Sequence, residues 1–169
     1  MRKLFDALRA LVYMSGFVLF WGWIALSVHA YDSDLGIVLP AWMGSLGIPF
    51  MLLGGTLALY CAETFVVRGT GTPAPFDAPR QFVATSPYRY VRNPMYIGGW
   101  VTLLGFGLYL HSLSILLMSL AWLLLAHLFV VLYEEPYLEG KFGLTYRNYR
   151  TSVRRWIPRL PHSNGNGAS

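Results

Sequence analysis

The chain has 169 residues, of which 55% are hydrophobic, 16% aromatic and only 12% charged, about half the roughly 25% charge of an ordinary soluble domain. That composition excludes a disordered segment and argues against a soluble globule, which needs charge over its whole surface. Lys and Arg number 13 against 8 Asp and Glu, a net charge of +5 that by itself suits nucleic acid, anionic lipid or an acidic ligand. The lone Cys61 leaves no intramolecular disulfide, and no Cys and His set has the spacing of a metal site.

Ala10 to Val28 carries no charge, and at a rise of ~1.5 Å per residue that run covers roughly the ~30 Å hydrocarbon core of a bilayer. It predicts a first span over about 10–28. Arg2 and Lys3 ahead of it, and Val28-His29-Ala30 behind it, have the outline of a signal peptide. The run is long for one and the rest of the chain is as apolar, so a retained anchor is expected. Leu35 to Ala62 is also free of Asp, Glu, Lys and Arg and predicts a second span over about 39–62, with Pro40 and Pro49 delaying its start or kinking it. Asn93 to Tyr133 is uncharged over about twice the length of one crossing. It predicts two antiparallel spans, about 94–110 and 114–133, with a turn where Gly107, His111, Ser112 and Ser114 interrupt the aliphatic run.

Every Lys and Arg falls before the first span, between the second and third, or after the fourth. The opposite connections hold Asp32, Asp34 and His111, so the positive-inside rule places both termini and the central loop in the cytoplasm. Beyond the fourth span, Leu138, Phe142, Tyr146, Tyr149, Val153 and Trp156 recur with a helical period, while Arg147, Arg150 and Arg154 take another face. This predicts an amphipathic interfacial helix, divided at Gly143, with its basic side toward anionic lipid. The expected fold is an all-α membrane protein, one embedded domain over 1–161 with a flexible Gly/Asn/Ser-rich tail at 162–169.

The chemistry concentrates at the cytoplasmic ends of the last two spans. A Pro- and Gly-rich loop, Arg68 to Arg92, runs into Ser86-Pro-Tyr-Arg-Tyr-Val-Arg-Asn-Pro-Met-Tyr-Ile-Gly98. There Asn93 is a good N-cap and Pro94 suits a first helical turn, whose free N–H groups favour a carboxylate or phosphate. The plainer reading is an interfacial helix start with an aromatic belt. Tyr133-Glu134-Glu135-Pro136 places two acids at the exit of an apolar helix, which Pro136 should end. Such acids need solvent, a basic loop containing Arg89 and Arg92, or a cationic ligand. An antiparallel hairpin brings Asn93 to Tyr96 beside Glu134 and Glu135.

These residues resemble the integral-membrane S-adenosylmethionine-dependent methyltransferases related to isoprenylcysteine carboxyl methyltransferase and phosphatidylethanolamine N-methyltransferase. The likeness spans about 69–159 and rests on Pro87-Tyr88, Arg92-Asn93-Pro94-Met95-Tyr96-Ile97-Gly98, Glu134-Glu135, and the tail from Phe142-Gly143 to Trp156-Ile157-Pro158-Arg159. Asn93 stands where the isoprenylcysteine branch has histidine, and no Lys or Arg lies between Arg92 and Lys141, which disfavours a free prenylcysteine carboxylate as substrate. The resemblance implies a cytoplasmic cleft in which Gln81, Phe82, Val83, Tyr88, Asn93, Pro94, Met95, Tyr96 and Glu134 bind S-adenosylmethionine. The chemistry of the residues adds candidate catalytic roles for Arg92, Glu134 and Glu135: Arg92 or the helix N-terminus for the cofactor carboxylate, and Glu135 or Glu134, if burial raises its pKa, as acceptor of an amine's proton.

The expected activity is methyl transfer to a lipid or other hydrophobic amine, thiol or carboxylate arriving from the bilayer, with no nucleic acid involved. The rivals are an NADPH-dependent membrane reductase, akin to the C-terminal region of sterol reductases, and a non-enzymatic scaffold. His127 is read as a hydrogen-bonded bundle residue and Glu63 as a boundary carboxylate that either lines the cleft or faces solvent. Gly54 and Gly55 suggest close helix packing or a cofactor glycine motif. Trp21, Trp23, Trp42 and Trp156 are read as lipid or interface contacts.

Overall fold

The computed structural model describes residues 2–69, 84–85 and 87–158, and every regular element in them is helical. Helix α1 covers Arg2–His29, a short α2 covers Asp32–Leu35, and α3 covers Trp42–Thr64, continuing as a π-helical turn over Phe65–Gly69. After the central loop come α4 (Pro94–Tyr109) and α5 (Leu113–Phe129), a second π-helical turn (Val130–Glu134), α6 (Glu135–Phe142) and α7 (Leu144–Ser152). Three helical stretches, Ala7–Leu35, Trp42–Val67 and Leu113–Phe142, are long and apolar enough to cross a membrane. Their lipid-like exteriors are of one kind: Leu19, Trp23, Leu53, Leu124 and Leu132 all stand mostly exposed, which only an apolar solvent tolerates over such an area.

Glycine decides how α3 meets α4. A Cβ on Gly54 would lie 2.5 Å from the Gly98 carbonyl oxygen and the Thr102 nitrogen, and one on Gly105 would lie 2.6 Å from the Met51 nitrogen. Gly47 meets Gly105 in the same way. Pairs of glycines seven residues apart on each helix thus bring backbone against backbone, as small-residue interfaces do where lipid removes the hydrophobic incentive to associate. Gly54 and Gly105 are therefore packing residues. Gly55, its neighbour, has nothing within 4 Å of its Cβ position.

The turn between α4 and α5 falls at Leu110–Ser112, inside the predicted stretch. His111 sits at φ 53, in the left-handed region, and its Nε2 lies 3.1 Å from the Ala41 oxygen. Gly44 leaves room for that ring. Ser112 caps α5 by accepting from the Ile115 N–H at 3.1 Å, and Asp32 accepts from the Ser114 N–H at 2.8 Å while its other oxygen lies 2.8 Å from His29 Nδ1. The connections opposite the site are thereby tied to one another.

The helix does not stop at Pro136. It widens into the π-helical turn at Val130–Glu134 and runs on as α6, with Pro136 in its first turn. A π turn makes room for a ring that an unbroken α-helix would press against the preceding carbonyl, so the expected end of the span at Glu135 is corrected. Gly143, at φ 55, then divides α6 from α7 as the sequence suggests. The basic face of α7 is partly engaged within the chain: Arg147 Nε and Arg150 Nη1 donate to Glu139 at 2.6 and 2.9 Å.

Candidate functional site

The hairpin α4–α5 returns its two ends to one level, and the tail after α7 closes over them. Tyr96, on the first turn of α4, donates its hydroxyl to Glu134 Oε2 at 2.8 Å. Glu135, only 6% exposed, takes different partners. Arg155 donates Nε to its Oε1 at 2.6 Å and Nη2 to its Oε2 at 2.9 Å, and Arg92 Nη1 lies 3.1 Å from Oε1. A bidentate guanidinium with a second cation is what a buried carboxylate needs to stay charged. Adjacent glutamates therefore differ: Glu135 is neutralised twice, whereas among the described residues Glu134 is met by a phenol and no Lys or Arg ion pair. Glu134 ends the π turn and Glu135 begins α6, and the two side chains meet different neighbours.

Asn93 stands at the N-cap position of α4 but makes no side-chain cap. Its Nδ2 instead donates to the Arg155 carbonyl at 3.2 Å, and the Arg92 N–H donates to the Arg154 carbonyl at 2.9 Å. Pro94 has already removed one of the N–H groups a cap would serve, and the tail carbonyl, folded against a buried residue, has no other claim on solvent. Tyr149 donates its hydroxyl to the Tyr88 carbonyl at 2.6 Å, and Trp156 Nε1 donates to His127 Nδ1 at 2.9 Å. His127 is thus a hydrogen-bonded bundle residue, and Trp156 a clamp on the tail rather than a lipid contact. Glu63 is exposed.

Burial pushes the Tyr88 and Tyr149 phenols above their ordinary range, and the Tyr146 phenol up to about 12. All three are neutral at physiological pH. Hydrogen bonding to Glu135 strengthens the hold of Arg155 on its proton.

A cavity of about 720 Å³ opens from this cluster, within the ~300–1,000 Å³ usual for small-molecule sites. Its polar end is walled by Tyr88, Arg92, Asn93, Tyr96, Glu134 and Glu135, and it continues past Met95, Trp122 and Phe17 into apolar surroundings. The Tyr96 ring lies 6.3 Å from that of Trp122 and 6.4 Å from that of Trp156, and Trp122 lies 6.2 Å from Trp21. These pairs are tilted or edge-on, and aromatic rings accept cations on their faces. Arg92 Nε and the Tyr88 hydroxyl are buried there without an aligned hydrogen-bond partner, while Arg92 Nη1 faces Glu135, and buried polar atoms left unpaired generally await a ligand or water.

Of the residues singled out from sequence, Tyr88, Arg92, Asn93, Met95, Tyr96, Glu134 and Glu135 line this cavity, and Pro94 is buried in the helix start behind it. Gln81, Phe82 and Val83 lie outside the described residues. Arg155, Trp122 and the phenols of Tyr146 and Tyr149 escaped that reading. The periodic face holding Tyr146, Tyr149 and Trp156 was the available signal, since a face that packs on protein and one that packs on lipid look alike in sequence.

The model of the family described as phospholipid methyltransferase matches residues 42–145, from the start of α3 into α7. Over 69 residues the chain is 41% identical to an uncharacterized protein of Haemophilus influenzae, a match covering 37% of this chain and 100% of that protein. Over 84 residues it is 36% identical to the phosphatidylethanolamine N-methyltransferases of Sordaria macrospora and Neurospora crassa, covering 50% of this chain. The match takes in only 9% of each fungal protein.

Proposed function

The chain belongs to the phospholipid methyltransferase family of integral-membrane methyltransferases, and within it we propose an S-adenosylmethionine-dependent enzyme that methylates the amine of a phospholipid headgroup such as phosphatidylethanolamine. The observation that carries this reading is the unequal pairing of the two glutamates. Glu134 is a carboxylate at the head of an aromatic-lined cavity, with a phenol as partner and, among the described residues, no Lys or Arg ion pair, so its charge favours a cation. An amine headgroup and a sulfonium are both cations; a carboxylate or thiolate acceptor would be repelled.

The residues present fit the cofactor. Arg92, whose Nη1 faces Glu135 while its buried Nε lacks an aligned partner, would hold the carboxylate of S-adenosylmethionine. Asn93, Pro94, Met95, Tyr88 and Tyr96 would flank the rest, with Gln81, Phe82 and Val83 joining them by the family resemblance. When bound, S-adenosylmethionine supplies a methyl group on a positively charged sulfur. The protein's share is alignment and exclusion of water, which together account for up to ~7–11 kcal/mol of a displacement barrier. An ammonium must lose a proton before it attacks. Glu134 Oε1, the oxygen Tyr96 does not hold, is the acceptor, while Glu135 is a positioning residue that fastens Arg92 and the tail.

In this reading α4, 16 residues long, makes a fourth crossing beside α3, and both termini and the site face the cytoplasm. Arg154 and the exposed flank of α7 face anionic headgroups. Calorimetry of S-adenosylmethionine with detergent-purified protein, followed by radiolabelled methyl transfer onto phosphatidylethanolamine, tests the assignment. Binding and transfer are expected, with transfer reduced at least ~100-fold in Glu134→Gln. Folded protein that binds no S-adenosylmethionine, or a Glu134→Gln variant with full turnover, overturns it.

A further inference from the structure

The cavity is longer than the chemistry at its polar end requires. Past Tyr96 it is walled on one side by α1, through Tyr13, Phe17 and Val18, and on the other by α3, through Met51, Gly55 and Leu59. Helix α1 packs on α5 and against the π turn at Phe65–Gly69, and α3 packs along α4. Neither set of contacts closes α1 against α3 along its length. Val18 on α1 and Leu59 on α3 both line the cavity yet are 65% and 63% exposed, so the cavity opens sideways. Both walls belong to stretches apolar enough to span a membrane, where the only medium outside the seam is hydrocarbon.

Two glycines widen the seam. Gly22 on α1 and Gly55 on α3 both line the cavity, and a Cβ built on either would meet nothing within 4 Å. Neither is required for helix contact. That separates Gly55 from Gly54, whose missing side chain is demanded by α4, and leaves open width as what these two positions supply.

We propose that the seam between α1 and α3 is the berth of an acyl chain of the lipid substrate, continuous with the headgroup site at Glu134, and that Gly22 and Gly55 set the chain it accepts. This rests on the phospholipid reading of the site. A lipid laid along the seam keeps its tail in hydrocarbon-like surroundings from Phe17 to Leu59 while its headgroup reaches Tyr96, so it need not leave the bilayer to react. Excluding one methylene from such a groove lowers binding about fourfold, so a leucine that displaces two or more costs over tenfold.

The test compares Gly55→Leu and Gly22→Leu with Gly16→Leu, which places the same bulk on α1 where a Cβ also meets nothing within 4 Å and no cavity is lined. Purified protein is assayed with dioleoyl and with dihexanoyl phosphatidylethanolamine, and S-adenosylmethionine binding is followed by calorimetry. The long-to-short ratio of kcat/KM should fall at least ~10-fold in the two groove variants and hold in Gly16→Leu, with cofactor binding within twofold throughout. An unchanged ratio in folded, cofactor-binding groove variants overturns the proposal. A readout independent of turnover is crosslinking by phosphatidylethanolamine carrying a diazirine in its acyl chain, mapped by mass spectrometry. Labelling on Val18, Met51 or Leu59 supports the berth even if methyl transfer to this lipid fails, which would count against the substrate assignment alone; labelling confined to outward positions such as Leu19 or Leu53 overturns it.

Discussion

Replacing Glu135 by glutamine should cost stability, whereas the same change at Glu134 should cost activity, although the two residues are adjacent and chemically identical. Glu135 accepts two hydrogen bonds from Arg155 at 2.6 and 2.9 Å and lies 3.1 Å from Arg92. A hydrogen bond to a charged group contributes about 1.5–3 kcal/mol against about 0.5–1.5 for a neutral one, and removing one side of a buried pair costs about 3–5 kcal/mol. The Arg155 side chain is 30% exposed, and water screens its half of the pair, so the low end, about 3 kcal/mol, is expected for Glu135→Gln. For a chain of this size that corresponds to a melting temperature lowered by roughly 6–12 °C. Glu134→Gln weakens one hydrogen bond, from Tyr96, at about 1 kcal/mol and roughly 2–4 °C. Thermal unfolding of both variants in one detergent, followed by tryptophan fluorescence, together with their methyl-transfer rates, measures both quantities. An Arg155→Gln and Glu135→Gln double-mutant cycle should return a coupling of at least ~1 kcal/mol. A Glu135→Gln protein melting within 2 °C of the parent, or one no less stable than Glu134→Gln, refutes the unequal division of labour.

The backbone contact between α3 and α4 makes Gly54→Val strongly destabilising, by more than ~3 kcal/mol, since its Cβ would lie 2.5 Å from two backbone atoms of α4; Gly55→Ala, with open space around it, should melt like the parent. Because burial raises the phenols of Tyr146 and Tyr149, their share of stability is whole below the unfolded value near 10 and is lost as pH climbs toward 12. The melting temperature should therefore fall over that window, less steeply in Tyr149→Phe, which also forfeits the 2.6 Å bond to Tyr88 and about 1 kcal/mol at neutral pH. Trp156→Ala removes the hydrogen bond to His127 and the edge contact with Tyr96, so trypsin should cut after Arg154 and Arg155 at least ~10-fold faster than in the parent, read by mass spectrometry.

Much of the architecture was legible because it depends on local composition. Long runs without charge mark helices that only lipid can solvate, and the Gly107 to Ser114 interruption and Gly143 mark breaks because those residues tolerate turns. The site was legible to the extent that an antiparallel hairpin must bring its ends together, which sets Asn93, Tyr96, Glu134 and Glu135 near one another.

Other features rest on partners distant in the chain, and no local pattern encodes a partner. Asn93 has the chemistry of a helix cap, yet the carbonyl of Arg155, 62 positions away, takes its amide. Pro136 has the chemistry of a helix stop, yet a widened turn carries the helix through it. Arg155 is one more base in the tail by sequence, but the chain after α7 brings it to a carboxylate 20 residues earlier. The amino-acid sequence by itself determined that this protein lives in a membrane and which polar groups its helix ends carry, since both follow from solvation of each segment alone. Only the tertiary structure decided which of two neighbouring glutamates is bound by arginine and which is met by a phenol, because that choice depends on how three distant segments share one buried volume.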